Sequence, residues 1–348
     1  MAKEVTFQKI ADELGVSKGL VSLAMRNKYG VSEEMRSKIV LKAIELGYEF
    51  KKNAPKKKKN ITLLVKNMGI LNEDFWRRCI LGIENECVSS NVSFTILGGT
   101  SLKDGEHLSM NLLDEKCDGI IILNQCQSSL VEELARLNIP TVFVDMINPQ
   151  EGSADQVMAN NFNAGMQAVN YLLKKGHSDI LLFGNIDYSF SFLQRYHGCM
   201  KAVKRALSRG EKVECYKLID CKKTSGTEGV YQDEDAVLCD DDALNEFFAG
   251  RNDVTAAVCF NESVLQRFMA ILEKRGLKIP DDVSVVSIDN MKYAEDRGVT
   301  SVDIPKTELG VQAVRMLLER IENRRSNSLS MELNTVLIER NSVKELKK

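Results

Sequence analysis

The stretch "FQKIADELGVSKGLVSLAMRNK", residues 7–28, decides the fold of the first part of the chain. Apolar residues recur at spacings of three and four on both sides of Gly15, which predicts two short amphipathic helices joined by a turn. Thr6 and Ser17 precede the two runs, and both residue types cap helices by accepting backbone N–H groups. Helices this short are not stable alone, so the chain needs further packing partners.

A third helix is predicted between Ser32, a cap before an acidic first turn, and Gly47, just past the helix end. Its apolar residues fall on one inner face: Met35, Ile39, Ala43 and Leu46. Three amphipathic helices can bury one small core together. The sequence therefore predicts a helix-turn-helix head, and a three-helix protein-interaction module is the alternative.

The second helix of this head is polar on its outer side, as expected of a helix that lies in the major groove of DNA. We expect Lys18 and Ser22 to reach bases, while Arg26 and Lys28 contact phosphates. Gly19 costs about 1 kcal/mol relative to alanine in a helix, which is reasonable where a partner approaches the backbone closely. The predicted DNA-binding residues are Thr6, Ser17, Lys18, Gly19, Ser22, Arg26, Lys28, Lys56, Lys57, Lys58 and Lys59.

The distribution of charge supports a polyanionic partner for the head. Residues 1–60 carry 14 Lys and Arg against 7 Asp and Glu, whereas residues 61–348 carry 33 against 42. A solvated basic face without a partner is the alternative. No apolar stretch is long enough to span a membrane and no secretory signal precedes the head, so we expect a cytoplasmic protein. The nine cysteines form no CxxC pair, and neither a cofactor nor a metal is expected.

The body alternates short apolar runs with helical patterns, which predicts βαβ units and parallel sheets. The predicted strands form two sets: 61–65, 92–97, 118–123 and 140–144, then 179–184, 213–219, 256–260 and 283–289. Two sets predict two sheets with a cleft between them, and one large doubly wound sheet is the alternative. The fold class is an all-α, lambda-repressor-like head plus an α/β body of two parallel-sheet lobes, like a periplasmic binding protein.

Polar residues at the carboxyl ends of these strands are the candidates for ligand binding, because ligands bind there in open parallel sheets. They are Asn124, Asp145, Asn261 and Asp289. Arg195 stands among small and aromatic residues, where its guanidinium could contact a hydroxyl pair or a carboxylate. Each of these side chains alone could equally be a helix cap or half of a surface ion pair.

The head resembles the DNA-binding domain of the lactose-repressor/galactose-repressor (LacI) family. The residues concerned are "IADELGVSKGLVSLAMRNK" (10–28) and "VSEEMRSKIVLKAIELGYE" (31–49), which follow the family pattern of "A..aGVS..TVS" and "VS..tR..V..ai.elGY". Leu23 stands where the family usually has arginine, and Arg26 where it has asparagine. The contacts of these two positions with DNA bases should therefore differ from those of other family members.

The hinge departs further from the family, whose members fold a helix there and insert a leucine into the minor groove. This chain has "EFKKNAPKKKKN" (49–60) instead, with no such leucine and with Pro55 opposing a helix. A run of lysines repels itself and favours an extended linker. Near DNA, Lys56 to Lys59 would neutralise phosphates, with weaker kinking of the operator than a leucine wedge produces.

The body resembles the effector-binding domain of the same family in "RYHGCMKAVKRAL" (195–207), residues 256–290 and "TSVDIPKTELG" (300–310). The resemblance implies that Arg195, Asn261 and Asp289 contact an effector, and that Phe75 and Trp76 face the cleft. An aromatic ring beside polar groups suits a pyranose or a nucleobase, although Trp76 could simply fill the core.

The resemblance also implies the domain boundaries. They are 1–50 for the head, 51–60 for the linker or hinge, and 61–348 for the body, whose first lobe takes about 61–160 and 291–322 and whose second takes about 161–290 and 323–342.

The function expected is that of a repressor. A homodimer would bind operator DNA through the heads, and a small molecule, a sugar or related metabolite, would modulate binding from the cleft. One alternative is a regulator controlled mainly by a partner protein, as in global catabolite regulation. The other is a body that acts as an enzyme or a periplasmic-type binding protein. Catalysis has little support, because the three histidines are far apart and no catalytic motif is present.

Overall fold

The computed structural model describes residues 5–25, 30–48, 58–65, 68–98, 117–123, 134, 138–145, 154–218, 247–249, 253–322 and 327–346. The chain divides into two compact units, residues 1–58 and 59–348. The first unit contains α1 (Phe7–Leu14), α2 (Lys18–Met25) and α3 (Glu33–Glu45). These are the three helices that the sequence predicts.

The head is stabilised by one small core and by its helix caps. The fully buried apolar side chains come from all three helices: Ile10, Ala11, Val21, Ala24, Ile39 and Ala43. Gly15 ends α1 with φ of 64°, a left-handed conformation that side chains with a Cβ adopt reluctantly. Ser32 accepts a hydrogen bond from the Met35 N–H at 3.3 Å and begins α3. Glycine at position 15 therefore determines the turn between α1 and α2.

The body contains two sheets, as the sequence predicts, but each has six strands rather than the four predicted. The first sheet has the order β11-β5-β4-β3-β1-β2 and is parallel throughout. The second has the order β12-β10-β9-β8-β6-β7 and is parallel except for the antiparallel β10–β12 pair. The strands are β1 (Asn60–Val65), β2 (Ser93–Gly98), β3 (Gly119–Leu123), β4 (Thr141–Val144), β5 (Asp155–Ala159), β6 (Asp179–Phe183), β7 (Glu214–Leu218), β8 (Ala256–Cys259), β9 (Ser284–Asp289), β10 (Thr300–Asp303), β11 (Ser330–Leu333) and β12 (Val336–Ile338).

The body helices cover these sheets. Those described are α4 (Asp74–Ser89), α5 (Asn161–Lys174), α6 (Phe190–Ser208), α7 (Glu262–Lys274), α8 (Lys292–Asp296) and α9 (Lys306–Ile321), together with a 3-10 helix at Met68–Asn72. In each lobe, two helices cross at glycines. A Cβ on Gly165 of α5 would lie 2.0 Å from the Arg195 carbonyl oxygen of α6, and one on Gly82 of α4 would lie 2.0 Å from the Thr307 carbonyl oxygen of α9. These close crossings position Arg195 and the start of α4.

The chain passes between the lobes at different residues from those predicted. β10 pairs with β9, so the chain stays in the second sheet through Asp303, beyond the expected boundary near 290. α9 then packs on α4 and on strands of the first sheet, and β11 pairs with β5 of that sheet. The expected boundary near 322 is therefore also wrong, and the chain returns to the second lobe between β11 and β12. β10 and β11 have four residues each, too short to stand out as apolar runs.

Candidate functional site

The outer side of α2 is the candidate DNA-binding surface of the head. Ser17, Lys18 and Gly19 are exposed and Ser22 is half-buried, as expected of a surface that meets a partner. The Ser17 hydroxyl accepts a hydrogen bond from the Leu20 N–H at 3.1 Å, which caps α2 and leaves the hydroxyl proton available. Leu23 is also exposed, at 39%, so this surface carries an apolar side chain where an arginine was expected from the family.

The remaining predicted DNA-binding residues fall into three groups. Thr6 is exposed, and its hydroxyl accepts a hydrogen bond from the Lys9 N–H at 3.4 Å, so its role in the structure is to cap α1. Arg26, Lys28, Lys56 and Lys57 lie outside the described residues.

Lys58 is exposed, whereas Lys59 is half-buried. The ammonium of Lys59 contacts the Glu322 carboxylate within the body, so its charge is already compensated.

A cavity of about 790 Å³ lies at the carboxyl ends of strands from both sheets. Of the predicted effector-binding residues, Asn124 lies outside the described part of the chain. The other six all line this cavity: Phe75, Trp76, Asp145, Arg195, Asn261 and Asp289. Residues that are separated by up to 214 positions in the sequence are thus brought to one place by the βαβ topology.

Arg195 is the central cation of the cavity and is only 3% exposed. Its Nη2 donates to Asp289 Oδ1 at 2.8 Å, and its Nε donates to Asn161 Oδ1 at 2.8 Å. Its Nη1 donates to the Phe260 carbonyl oxygen. The guanidinium carbon also lies 5.6 Å from the centre of the Phe192 ring. Arg195 is therefore held in one orientation before any ligand arrives, which is the preorganisation that a specific site needs.

Two aspartates that end strands have unusual backbone conformations. Asp145 follows β4 with φ of 50°, and Asp289 ends β9 with φ of 99°. Both lie in the region that favours glycine, where a strained residue is often functional. Burial raises the pKa of the Asp145 carboxyl, an effect that the Ser191 hydroxyl opposes by donating to Asp145 Oδ1 at 2.6 Å. The Asp145 carboxyl is thus an acceptor of hydrogen bonds at the edge of the cavity.

Asn261 also caps α7, because its Oδ1 accepts a hydrogen bond from the Val264 N–H at 2.9 Å. The amide nitrogen of its side chain makes no hydrogen bond to the residues that the structure describes. A capping role and a ligand-binding role are therefore compatible for this residue.

Aromatic rings line the cavity from both lobes. Phe75 and Trp76 form an edge-to-face pair in the first lobe, with ring centres 4.9 Å apart. Trp76 is only 6% exposed and packs in the core as well, so the alternative of a core residue is partly right. Tyr188 and Phe192 form a second pair from the other lobe, with ring centres 5.1 Å apart. No prediction from the sequence covers this second pair, although "DYSFSF" (187–192) runs into the first turn of α6, the helix that carries Arg195.

The described residues contain no cluster that could hold a metal ion, and no described helix is long and apolar enough to cross a membrane. The contacts of the His177 ring are those of a residue that stabilises the fold. Its ring nitrogens lie 3.0 Å from the Thr255 hydroxyl and 3.0 Å from the Lys344 carbonyl oxygen, and burial lowers its pKa.

Comparison with known proteins relates both units to transcriptional regulators. A family model described as a periplasmic binding protein-like domain matches residues 169–343. The chain is similar to the HTH-type transcriptional repressor PurR of Vibrio atlanticus (strain LGP32), with 29% identity over 352 residues that cover 98% of this chain and 99% of the relative.

Solved structures share the fold along almost the whole chain. The complex of the transcriptional regulator CelR with cellobiose has a TM-score of 0.66 at 22% identity, covering 97% of this chain and 100% of the other. The lac repressor dimer bound to operator and the anti-inducer ONPF has a TM-score of 0.63 at 20% identity, covering 98% and 100%.

Proposed function

Because this chain belongs to the lactose-repressor/galactose-repressor (LacI) family of transcriptional regulators, we propose that it is a repressor whose DNA binding is modulated by a small molecule in the cavity. The curated relative is a repressor and not an enzyme. The protein acts in the cytoplasm as a homodimer, like the lac repressor dimer on its operator. A dimer presents two heads to the two halves of a near-palindromic site.

The observation that carries the proposal is that both lobes supply side chains to one cavity. Trp76 and Phe75 come from the first lobe, whereas Arg195, Asn261 and Asp289 come from the second. A ligand that touches both lobes has a different affinity for each arrangement of the lobes, and this difference is what shifts a conformational equilibrium. The small molecule therefore biases the dimer toward or away from the form that binds DNA.

The aromatic pairs support a sugar or a related cyclic metabolite as the effector. Ring faces from both lobes can cover the apolar face of a pyranose, while the polar groups of Arg195, Asn261 and Asp289 bind hydroxyls. The structural relative CelR has cellobiose in its complex, which is consistent with this class of ligand.

The full-length protein can be tested on a pool of random duplexes. We expect several rounds of selection to enrich an inverted repeat with two related half-sites. A pool that stays random would contradict the proposed function.

Substituting Gly19→Ala should stabilise the head and weaken its binding to DNA. A Cβ at this position meets only the Ser17 Oγ, at 3.8 Å, so the fold itself does not require glycine there. We expect the free energy of unfolding to rise by up to about 1 kcal/mol. Affinity for the selected duplex should fall about tenfold or more, because the added methyl group keeps α2 away from the DNA.

Ser37→Ala is the matched control for this substitution. Ser37 is exposed on α3, and alanine there also favours the helix without altering α2. Melting curves and fluorescence anisotropy of both variants separate stability from binding. If Gly19→Ala bound DNA with the same affinity as the wild type, the backbone of α2 would not approach the DNA closely.

Neutralising Lys56, Lys57 and Lys58 to glutamine should reduce the salt dependence of DNA binding. Each phosphate that a lysine no longer neutralises lowers the slope of log affinity against log salt concentration by roughly 0.9 per chain. Lys59→Gln is the control, because the ammonium of Lys59 already contacts Glu322. Equal slopes for the wild type and the triple variant would show that the run serves only as a linker.

A further inference from the structure

Leu23 is an exposed apolar side chain on the otherwise polar outer side of α2. It is 39% exposed and does not belong to the apolar core of the head, so packing within the head does not account for it. The other side chains of this surface, those of Ser17, Lys18 and Ser22, are polar. A single exposed leucine is ordinary on a protein surface, so its meaning depends on where it lies.

Leu23 borders an open notch whose floor is the backbone of Gly19. The two residues are one helical turn apart, so they share one face of α2, and both are exposed. A Cβ built on Gly19 would meet only the Ser17 Oγ within 4 Å among the described residues, whereas one built on Gly30 would lie 3.8 Å from Leu23 Cδ1. The leucine therefore leans toward Gly30, which precedes α3, and leaves the space above Gly19 free for a partner.

The base edges in the major groove give an apolar side chain one favourable partner. They present hydrogen-bond donors and acceptors, and the 5-methyl group of thymine is the only methyl group among them. A leucine that covers this methyl group removes two apolar surfaces from water. A leucine that covers a donor or an acceptor takes that group out of water without giving it a partner, which costs affinity. Leucine in the groove therefore favours thymine and disfavours the other bases.

From this arrangement we propose that Leu23 determines sequence specificity by contacting the 5-methyl group of one thymine in each half-site, while Gly19 leaves room for the edge of that base. This inference rests on the proposed function, because it names a base that the same surface of α2 recognises. Covering one methyl group contributes about fourfold in affinity, and therefore about 15-fold for the two half-sites that a dimer binds.

Replacement of thymine by uracil tests the contact from the side of the DNA, because uracil lacks the methyl group and keeps the same hydrogen-bonding groups. Each thymine of the duplex selected by the full-length protein is replaced in turn, in both half-sites at once, and affinity is measured by fluorescence anisotropy. For the wild type we expect one position to lose about 15-fold in affinity. In Leu23→Ala, which binds the unmodified duplex more weakly, we expect uracil at that position to change affinity by less than about twofold, because the side chain that covers the methyl group is gone.

Leu41→Ala is the matched control, because Leu41 is a leucine of the same head that is 66% exposed on α3, outside the candidate DNA-binding surface. It should lose as much affinity with uracil as the wild type does. Half-sites without thymine, no loss with uracil at any position, or an equal loss at that position in Leu23→Ala would each overturn the inference. An equal loss would assign the effect to the shape of the DNA. These three results leave the proposed function intact, whereas a pool that stays random contradicts the proposed function itself.

Discussion

We expect removal of residues 1–58 to abolish sequence-specific DNA binding and to leave a folded body with unchanged affinity for its ligand. The cut falls at the boundary between the two compact units, so the body keeps both sheets and the whole cavity. The basic residues of the head are lost, and residues 61–348 carry 33 Lys and Arg against 42 Asp and Glu. Such a surface repels phosphates, and we expect affinity for the selected duplex to fall by at least about 10³-fold.

Calorimetry with the ligand and a melting curve show whether the truncated body is intact. The matched control is the full-length protein carrying Lys59→Gln, which alters the first residue of the body without removing the head. Operator binding by the truncated protein at wild-type affinity would refute the assignment of DNA binding to the head.

We expect replacement of Asp289 to remove the response to the small molecule and to leave DNA binding without ligand intact. Asp289 Oδ1 lies 2.8 Å from the Nη2 of Arg195, and the two side chains are 11% and 4% exposed. Asp289→Ala leaves a buried guanidinium without its carboxylate, which costs about 3–5 kcal/mol of stability. Alanine also adopts φ of 99° reluctantly, so this variant can fail to fold.

Asp289→Asn separates the two effects. Asparagine tolerates the left-handed backbone and keeps an acceptor for Arg195, so we expect a smaller loss of stability. The carboxylate is still lost, and ligand affinity should fall at least about tenfold. Asp281→Asn is the control, because Asp281 is exposed, precedes β9 and does not line the cavity. If Asp289→Asn responded to ligand as the wild type does, Asp289 would be ruled out as a ligand contact.

Substituting Arg195, which forms the ion pair with Asp289, tests the same site. Arg195→Ala leaves the Phe260 carbonyl, Asn161 and Asp289 without their donor. It should unfold at a lower temperature and show no ligand response, whereas its head still binds DNA.

The helices of the head and eight of the strands could be predicted from the sequence, because apolar periodicity and capping residues are local signals. The four strands that were missed have three to five residues, and their pairing depends on neighbours far along the chain. For the same reason the crossings between lobes at Asp303 and after β11 could not be read from local patterns. The strand ends pointed to Asp145, Asn261 and Asp289 because ligands collect at that edge of a parallel sheet.

Other parts of the cavity depend on packing that the sequence does not show. Glu262 follows the cap Asn261 in "FNES" (260–263), where it is typical of an acidic first turn exposed to water. Only the position of Met291 and α8 makes it a buried member of the wall. Asn161 likewise has no sequence signal as a partner of Arg195, because the α5–α6 crossing at Gly165 brings them together.

The most direct test of the repressor proposal is a competition titration of the full-length protein on its selected duplex. Fluorescence anisotropy would be followed at physiological salt against random competitor DNA, with and without the ligand that binds the cavity. We expect the selected duplex to bind at least about 10³-fold more tightly than the competitor, and the ligand to change that affinity by about 5- to 150-fold. Equal affinity for both duplexes, unchanged by any ligand of the cavity, would contradict the proposal.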